Sequence, residues 1–372
     1  MILLQADQWQ QITYALFMAV GATQCNAARV AQALVDANLA GHDSHGVARI
    51  PQYLQAIAAK QLDPAAQPVF LKETACSVLM DGKWGFGQVG AQVCMQEAIK
   101  RARKHGMAIA ALIRAYHIGR LGEYSEMAHD AGMIGLVIAG GFGDGKTRTS
   151  GMAPYGGARP VFGANPLSFG IPAGAQPPVV ADFATSTVAM GKISVARAKG
   201  EALPPNCILD HDGNPTTNPE DFYNGGVLLP FGGHKDYGLA VVAELLGQAL
   251  TGADTSGNAQ GSGGVYMLAG NVFIVLDQGL FRSKEEYNTT ADAIIQRIKA
   301  VPPAPGFTEV LLPGAPEQRS KARRRQEGVG IPEITWEALC SEATKLGLNL
   351  ANLVGSMNRA ACHGQRSHQT GS

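Results

Sequence analysis

Residues 85–90 read Gly85-Phe86-Gly87-Gln88-Val89-Gly90, a literal G-x-G-x-x-G between an apolar strand pattern and a helical one. Taken alone, that spacing predicts a doubly wound dinucleotide fold whose glycines let the backbone approach a pyrophosphate. Such a fold also needs an acidic residue about 20 positions further on to hold the ribose. Residues 105–116 contain neither Asp nor Glu. The hexapeptide is therefore read as a tight turn with close backbone packing.

Outward from that turn, strand and helix patterns alternate, which is the signature of an α/β fold. Residues 75–82 read as a strand, 88–104 as a helix, 106–114 as a buried strand, 122–131 as a helix and 133–140 as a strand. Glycine- and proline-rich sequence then runs to Gly174, with GFGDGKTRTSG (141–151) and APYGGARP (153–160) as long loops. Further on come a strand at 178–183, a helix at 233–250 and a glycine/serine loop at 252–264. A strand lies within 265–277, a polar helix at 284–299, a proline-rich excursion at 301–316 and a last helical region at 333–353. Upstream, Asp7 to Leu39 form a helical hairpin broken at Gly21-Ala22-Thr23, with Thr23 or Asn26 as the cap. Pro51 starts another helix and pushes Ile50 out of the helical region, leaving 41–50 as a loop pinned between helix ends.

The chain has 372 residues, 46% hydrophobic and 16% charged, enough for one large core or two moderate ones. Thirty basic residues balance thirty acidic ones, so no global field favours nucleic acid or an anionic membrane. No apolar run approaches the roughly 18 residues of a membrane span, and MILLQADQWQQ lacks the features of a signal peptide. A cytoplasmic protein is expected. Six cysteines without a C-x-x-C pair read as free thiols, mostly buried.

Residues 41–50 concentrate chemistry: His42, Asp43, Ser44, His45 and Arg49 fall within nine positions. Histidine transfers protons near neutral pH, and a guanidinium grips a carboxylate with two parallel hydrogen bonds. The segment predicts an acid–base site for a small carboxylic acid, with Asp43 orienting the ring of His45, against a satisfied surface loop. His117 follows a buried strand, where α/β folds place ligand contacts, although a lone histidine there is also commonly structural. Gly232-Gly233-His234-Lys235 opens a helix and suits a phosphate, and Asp182 ends a strand as an acceptor for a ribose hydroxyl. The alternative for the former is a plain helix start with an exposed lysine. Asp210-His211-Asp212-Gly213-Asn214 lacks the glutamate of a calcium loop and reads as a turn. The basic run Arg319, Lys321, Arg323, Arg324, Arg325 reads as a solvated helix face, with phosphate binding as the alternative. No pair of ligands at metal spacing on one helix is present, so no metal site is predicted.

In order, AGHDSHGVARIPQY, FGQV, HIGRLGEY, MAPYGG, GANPLSFGIP, DFATS, GEALPPNCILDHDGNPTTNP, GGHKDYGLAVVAELLGQALTG and LLPG resemble the type-2 malate/L-lactate dehydrogenases. The resemblance implies a non-Rossmann NAD(P)-binding fold of the sulfolactate dehydrogenase-like type, with a helical substrate domain built from both chain ends. The division this predicts is 1–118 with 300–355, 119–299 for the cofactor, and a disordered tail at 356–372. It also implies a homodimer and NAD- or NADP-dependent interconversion of 2-oxo and 2-hydroxy acids. By motif, His45 and His117 become the acid/base candidates, and Ser44, Arg49 and Tyr53 the substrate contacts. Cofactor contacts fall on Gly119, Arg120 and Leu121, on Val180, Ala181, Asp182, Phe183 and Ala184, on His234 and Lys235, and on Gly314, Ala315, Pro316 and Glu317.

Three departures stand out: Asp236 replaces the glycine of GHKGYGLA, Ala315 replaces the glutamate of GEPE, and the 141–151 loop is unusual. Asp236 puts a carboxylate beside the expected phosphate, which opposes binding unless it points away. Within the resemblance, the rival substrate is a cyclic imine acid such as piperideine- or pyrroline-2-carboxylate. Rivals of other classes are a metal-dependent hydrolase using His42, Asp43, His45 and His117, and a silent nucleotide-binding protein.

Overall fold

The computed structural model describes residues 1–141, 151–253 and 266–355. The expected disordered tail, and all but the edges of the glycine-rich loops at 141–151 and 252–264, lie outside them. The chain forms two compact units, Met1–Ala65 with Pro316–Ser372, and Ala66–Ala315.

The first unit opens with β1 (Ile2–Leu4), α1 (Ala6–Ala19), α2 (Gln24–Leu39) and α3 (Ile50–Ala58). Trp9, Ile12, Leu16 and Phe17 recur at helical spacing on α1 and are fully buried, as are Val30, Leu34 and Val35 on α2. Thr23 is the cap, its hydroxyl accepting the Asn26 N–H at 3.2 Å. One expectation fails at Pro51: Ile50 is helical, at φ −54° and ψ −48°. Its side chain is fully buried, and burial of an isoleucine, about 1.5–3 kcal/mol, outweighs the pre-proline bias.

The second unit runs β2 (Val69–Glu73), β3 (Ser77–Asp81), α4 (Gly87–His105), β4 (Met107–Ile113), α5 (Gly122–Asp130), β5 (Met133–Gly140), β6 (Leu167–Ile171) and β7 (Val179–Phe183). It continues through α6 (Met190–Lys199), β8 (Ile208–Leu209), β9 (Pro215–Thr216), α7 (Pro219–Tyr223), β10 (Val227–Leu228) and α8 (His234–Glu244). A π-helical turn (Leu245–Leu250), β11 (Gly270–Asp277) and α9 (Lys284–Lys299) follow. The chain then returns to the first unit with α10 (Ala315–Glu327), β12 (Val329–Ile331) and α11 (Glu333–Lys345). There β12 pairs antiparallel with β1, and the indole N–H of Trp9 donates to the Val329 carbonyl at 3.0 Å.

Seven strands of the second unit form one sheet in the order β2-β3-β4-β11-β5-β6-β7, and only β3–β4 is a parallel pair. Val78, Leu112, Val137 and Phe273 on the sheet share a core with Ala91, Met95 and Ala98 of α4 and Tyr124 of α5. Strands β8–β10 form a separate sheet. The unit boundary falls at 65/66 rather than 118/119, because β3 and β4 belong to the large sheet and β4 pairs with β11 along its length. Strand β6 was hidden in the sequence by flanking glycine and proline.

Asp210 closes the β8–β9 turn, accepting the N–H groups of Asp212 and Asn214 at 2.9 Å each. The five described cysteines are free, but only Cys94 and Cys207 are buried, fewer than expected. Burial pushes the Cys94 thiol upward, so it is unreactive. No described helix is long and apolar enough to cross a membrane.

On α9, Asp292 accepts N–H groups from Ala175 (2.7 Å), Gln176 (3.0 Å) and Gly174 (3.0 Å), and these hold its carboxyl below the ordinary range. A depressed carboxyl stabilises the fold above its unfolded pKa of about 3.9, and the contribution disappears as pH falls through the lower folded value. Asp292→Asn is expected to lower the melting temperature at pH 7 and to narrow its gap to wild type between pH 4 and pH 2. A constant gap across this range, measured by thermal melts, would exclude the carboxylate as the cause.

Candidate active site

In the first unit, α2 ends at Leu39 and the chain makes two 3-10 turns, Asp43–His45 and Val47–Arg49. Buried Asn38 organises them: its Oδ1 accepts the Val47 N–H at 2.8 Å, and its Nδ2 donates to Asp43 Oδ1 at 2.6 Å. Gly46 is required here, because any Cβ would overlap the Asn38 amide. Asp43 also accepts a two-pronged pair from Arg324 on α10, Nη1 to Oδ1 at 2.5 Å and Nη2 to Oδ2 at 3.0 Å. That charge-assisted fork holds the Arg324 guanidinium above its ordinary range.

Asp43 is thus committed to Asn38 and Arg324, whereas Ser44 Oγ lies 3.0 Å from Nδ1 of His45. The expectation that Asp43 orients His45 is corrected accordingly. Arg49 donates from Nε to the Ser44 carbonyl at 2.6 Å and from Nη1 to Gln52 at 2.7 Å. His42 Nε2 lies 3.4 Å from Glu317 on α10. Tyr53 departs from the substrate list: it is fully buried beside Phe17, on the inner face of α3.

In the second unit, His117 lies half-buried in the loop from β4 to α5, its ring 5.5 Å from that of Tyr266. Gly119 follows at φ +81° and Arg120 is 4% exposed. Arg120 donates from Nη2 to Glu126 at 2.6 Å, while Asp182 at 3.7 Å is an electrostatic neighbour beyond hydrogen-bond reach. Burial opposes the charge on Arg120, but Glu126 and Asp182 outweigh it and the guanidinium stays above its ordinary range. Asp182 Oδ2 accepts the Gly122 N–H at 2.8 Å, so it meets the N-terminus of α5.

Two other segments meet β7. Val180 donates its N–H to the Pro313 carbonyl at 3.0 Å, and a Cβ on Gly314 would press on the Val180 backbone. Phe183 packs edge-on against Phe231 at 5.9 Å, and Phe231 donates its N–H to the Thr185 carbonyl at 3.2 Å. The start of α8 follows directly, with His234 and Lys235 exposed. Residues 119–122, 231–235 and 313–315 are thereby gathered along β7 and the residue that follows it, 180–184. Leu121 and Val180 are buried and offer backbone only, while Pro316 and Glu317 belong to the first unit. Asp236 is 3% exposed, its Oδ1 2.6 Å from the Gly232 N–H. It turns back onto its own helix start rather than to solvent.

Asn38, Gln52, Glu126 and Tyr266 were missed in the sequence, and Arg324 was read as a solvated charge. A basic run carries no sign of which member pairs with a carboxylate 281 positions away. Among the described residues, no three His, Cys, Asp or Glu side chains group as metal ligands.

The family model for malate/L-lactate dehydrogenase matches residues 4–340. The chain is 34% identical to L-sulfolactate dehydrogenase of Methanocaldococcus jannaschii over 95% of this chain and all of that one. It is 35% identical to hydroxycarboxylate dehydrogenase B of Escherichia coli K12 (90% and 91% covered) and 36% identical to L-lactate dehydrogenase of Cupriavidus necator (87% and 91%). The solved Methanocaldococcus jannaschii sulfolactate dehydrogenase superposes with a TM-score of 0.85, covering 94% of this chain and 99% of that one. The chain therefore belongs to the malate/L-lactate dehydrogenase family, nicotinamide-dependent oxidoreductases of small 2-hydroxy acids.

Proposed function

We propose that the chain reduces 2-oxo acids reversibly to 2-hydroxy acids as a cytoplasmic homodimer, and that it holds NAD(H) or NADP(H) on the gathered segments around β7. The observation that carries this reading is the convergence of 119–122, 180–184, 231–235 and 313–315 within one unit. Arg120 Nε and Nη1 are buried without a hydrogen-bond acceptor among the described residues, and exposed Lys235 adds a cation. That donor set fits the phosphates and amide of a dinucleotide. A sheet with one parallel pair supports a non-Rossmann mode of binding.

When bound, the reduced nicotinamide supplies hydride for C2 of the acid. The chain contributes orientation and a proton. Arg49 is assigned the substrate carboxylate: its Nε and Nη1 donate to Ser44 and Gln52, which orients the guanidinium and points to its remaining N–H donors for the acid. His45 or His117 delivers the proton to the forming alkoxide. For His45, the Ser44 hydroxyl lies against Nδ1 and helps hold the ring.

The test is a screen of NADH and NADPH oxidation over pyruvate, phenylpyruvate and other 2-oxo acids, with piperideine-2-carboxylate alongside. Turnover of the imine alone would replace the substrate class. Dinucleotide binding without any turnover would leave a silent binding protein.

Lys235→Ala is expected to weaken binding of the reduced dinucleotide strongly. Because Asp236 is buried rather than screened by solvent, Asp236→Gly is expected to tighten binding by about two- to fivefold, the worth of one charge at a helix end. Calorimetric titration checks both, and unchanged affinity in Lys235→Ala would remove the start of α8 from the cofactor site.

A further inference from the structure

The backbone that carries His117 is seated on residues 81–88. At Gly87 a Cβ would fall well inside van der Waals distance of the carbonyl oxygens of Tyr116 and His117. Gly85 accepts the Tyr116 N–H at 3.0 Å, Gly82 donates to the Ile113 carbonyl at 2.9 Å, and Trp84 donates to the Arg114 carbonyl at 2.6 Å. Asp81, 4% exposed, fastens both sides of this seam. Its Oδ1 accepts from the Lys83 N–H at 2.8 Å and from Arg114 Nε at 2.9 Å, and its Oδ2 pairs with Arg114 Nη2. Lys83, Trp84 and Arg114 all have left-handed backbone, at φ 48°, 58° and 48°. Three such non-glycine residues in one seam are uncommon, and strain of this kind persists only where the surroundings hold it. From the other side, the Tyr124 hydroxyl donates to the Ile118 carbonyl.

We infer that Gly87 and Asp81 are positioning residues of the reaction: they fix the place of the His117 ring without touching substrate. The inference rests on the proposed role of His117. A methyl group at position 87 displaces the two carbonyls and the imidazole that follows them, and a misplacement of about 1 Å costs on the order of 10²-fold in rate. Asp81→Asn removes the charge from the Arg114 fork and loosens the same seam more gently.

The test is a double-mutant cycle on kcat, with Gly87→Ala and His117→Ala alone and together. Gly87→Ala is expected to lower kcat by about 10- to 100-fold in the wild-type background. In the His117→Ala background, which has no imidazole left to misplace, its effect should shrink to about twofold or less. Equal losses in both backgrounds would overturn the inference and make the seam merely structural. Normal turnover by His117→Ala alone would instead overturn the role of His117, and the inference with it. If Gly87→Ala does not fold, Asp81→Asn carries the same cycle, with an expected loss of about threefold or more that again vanishes without His117.

Discussion

His117→Ala and His45→Ala are each expected to lower kcat for a 2-oxo acid, the proton donor by about 10²–10⁴-fold, the usual worth of a general acid. The two histidines differ in surroundings. His45 sits beside a hydroxyl in a turn organised by Asn38, whereas His117 lies against the ring of Tyr266. On the proposed mechanism only one delivers the proton, and the pH dependence of kcat should be lost in that variant alone. The other should retain the profile at reduced rate. Rate–pH profiles from pH 5 to 9 decide the assignment, and near-normal turnover with an unchanged profile in both variants would remove both from the acid–base step.

Arg49→Lys is expected to raise the Michaelis constant for a 2-oxo acid by about 10- to 100-fold, while the dissociation constant of the reduced dinucleotide stays nearly constant. The guanidinium is already fixed through Nε to the Ser44 carbonyl and through Nη1 to Gln52. On the proposed assignment a carboxylate therefore meets a guanidinium already held in place. Lysine offers a point charge on a flexible stem and loses both the anchoring and the fork. Steady-state kinetics beside a fluorescence titration of the dinucleotide tests this, and an equal loss of cofactor affinity would place Arg49 in the other half of the chemistry.

Much of the second unit was legible because its elements announce themselves locally. The run MIGLVIAG at 133–140 forms β5 over those same residues, and 106–114 gives β4 at Met107–Ile113. Strands β1 and β12 were not legible, since three-residue strands exist only through a partner more than 300 positions away. Residues 85–90 show both sides of the matter, since 87–90 open α4 and only 85–86 precede it. The missing acidic partner argued correctly for close packing, but nothing local said that the packed neighbour would be the His117 loop. In the site, the residue types of 41–50 pointed to carboxylate and proton chemistry, whereas their wiring depended on Arg324 and Asn38. Tyr53 shows the converse. Its helical spacing with Ile50 and Leu54 marked a core position, and its place in a motif drew it into the site.

The pairing of β1 with β12 and the fork between Asp43 and Arg324 have a consequence for biosynthesis. The first unit needs residues from both chain ends, with all of Ala66–Ala315 intervening. At a synthesis rate of about 5–20 residues per second, the α1–α2 hairpin waits roughly 12–50 s for its partners to emerge. Ala66–Ala315 holds its strands in one contiguous stretch and can fold on the ribosome. The segment bearing His45 and Arg49 is completed only after Ala66–Ala315 has been made, so a ribosome stalled before Arg324 leaves a nascent chain with a formed central sheet and an unassembled 41–50 segment.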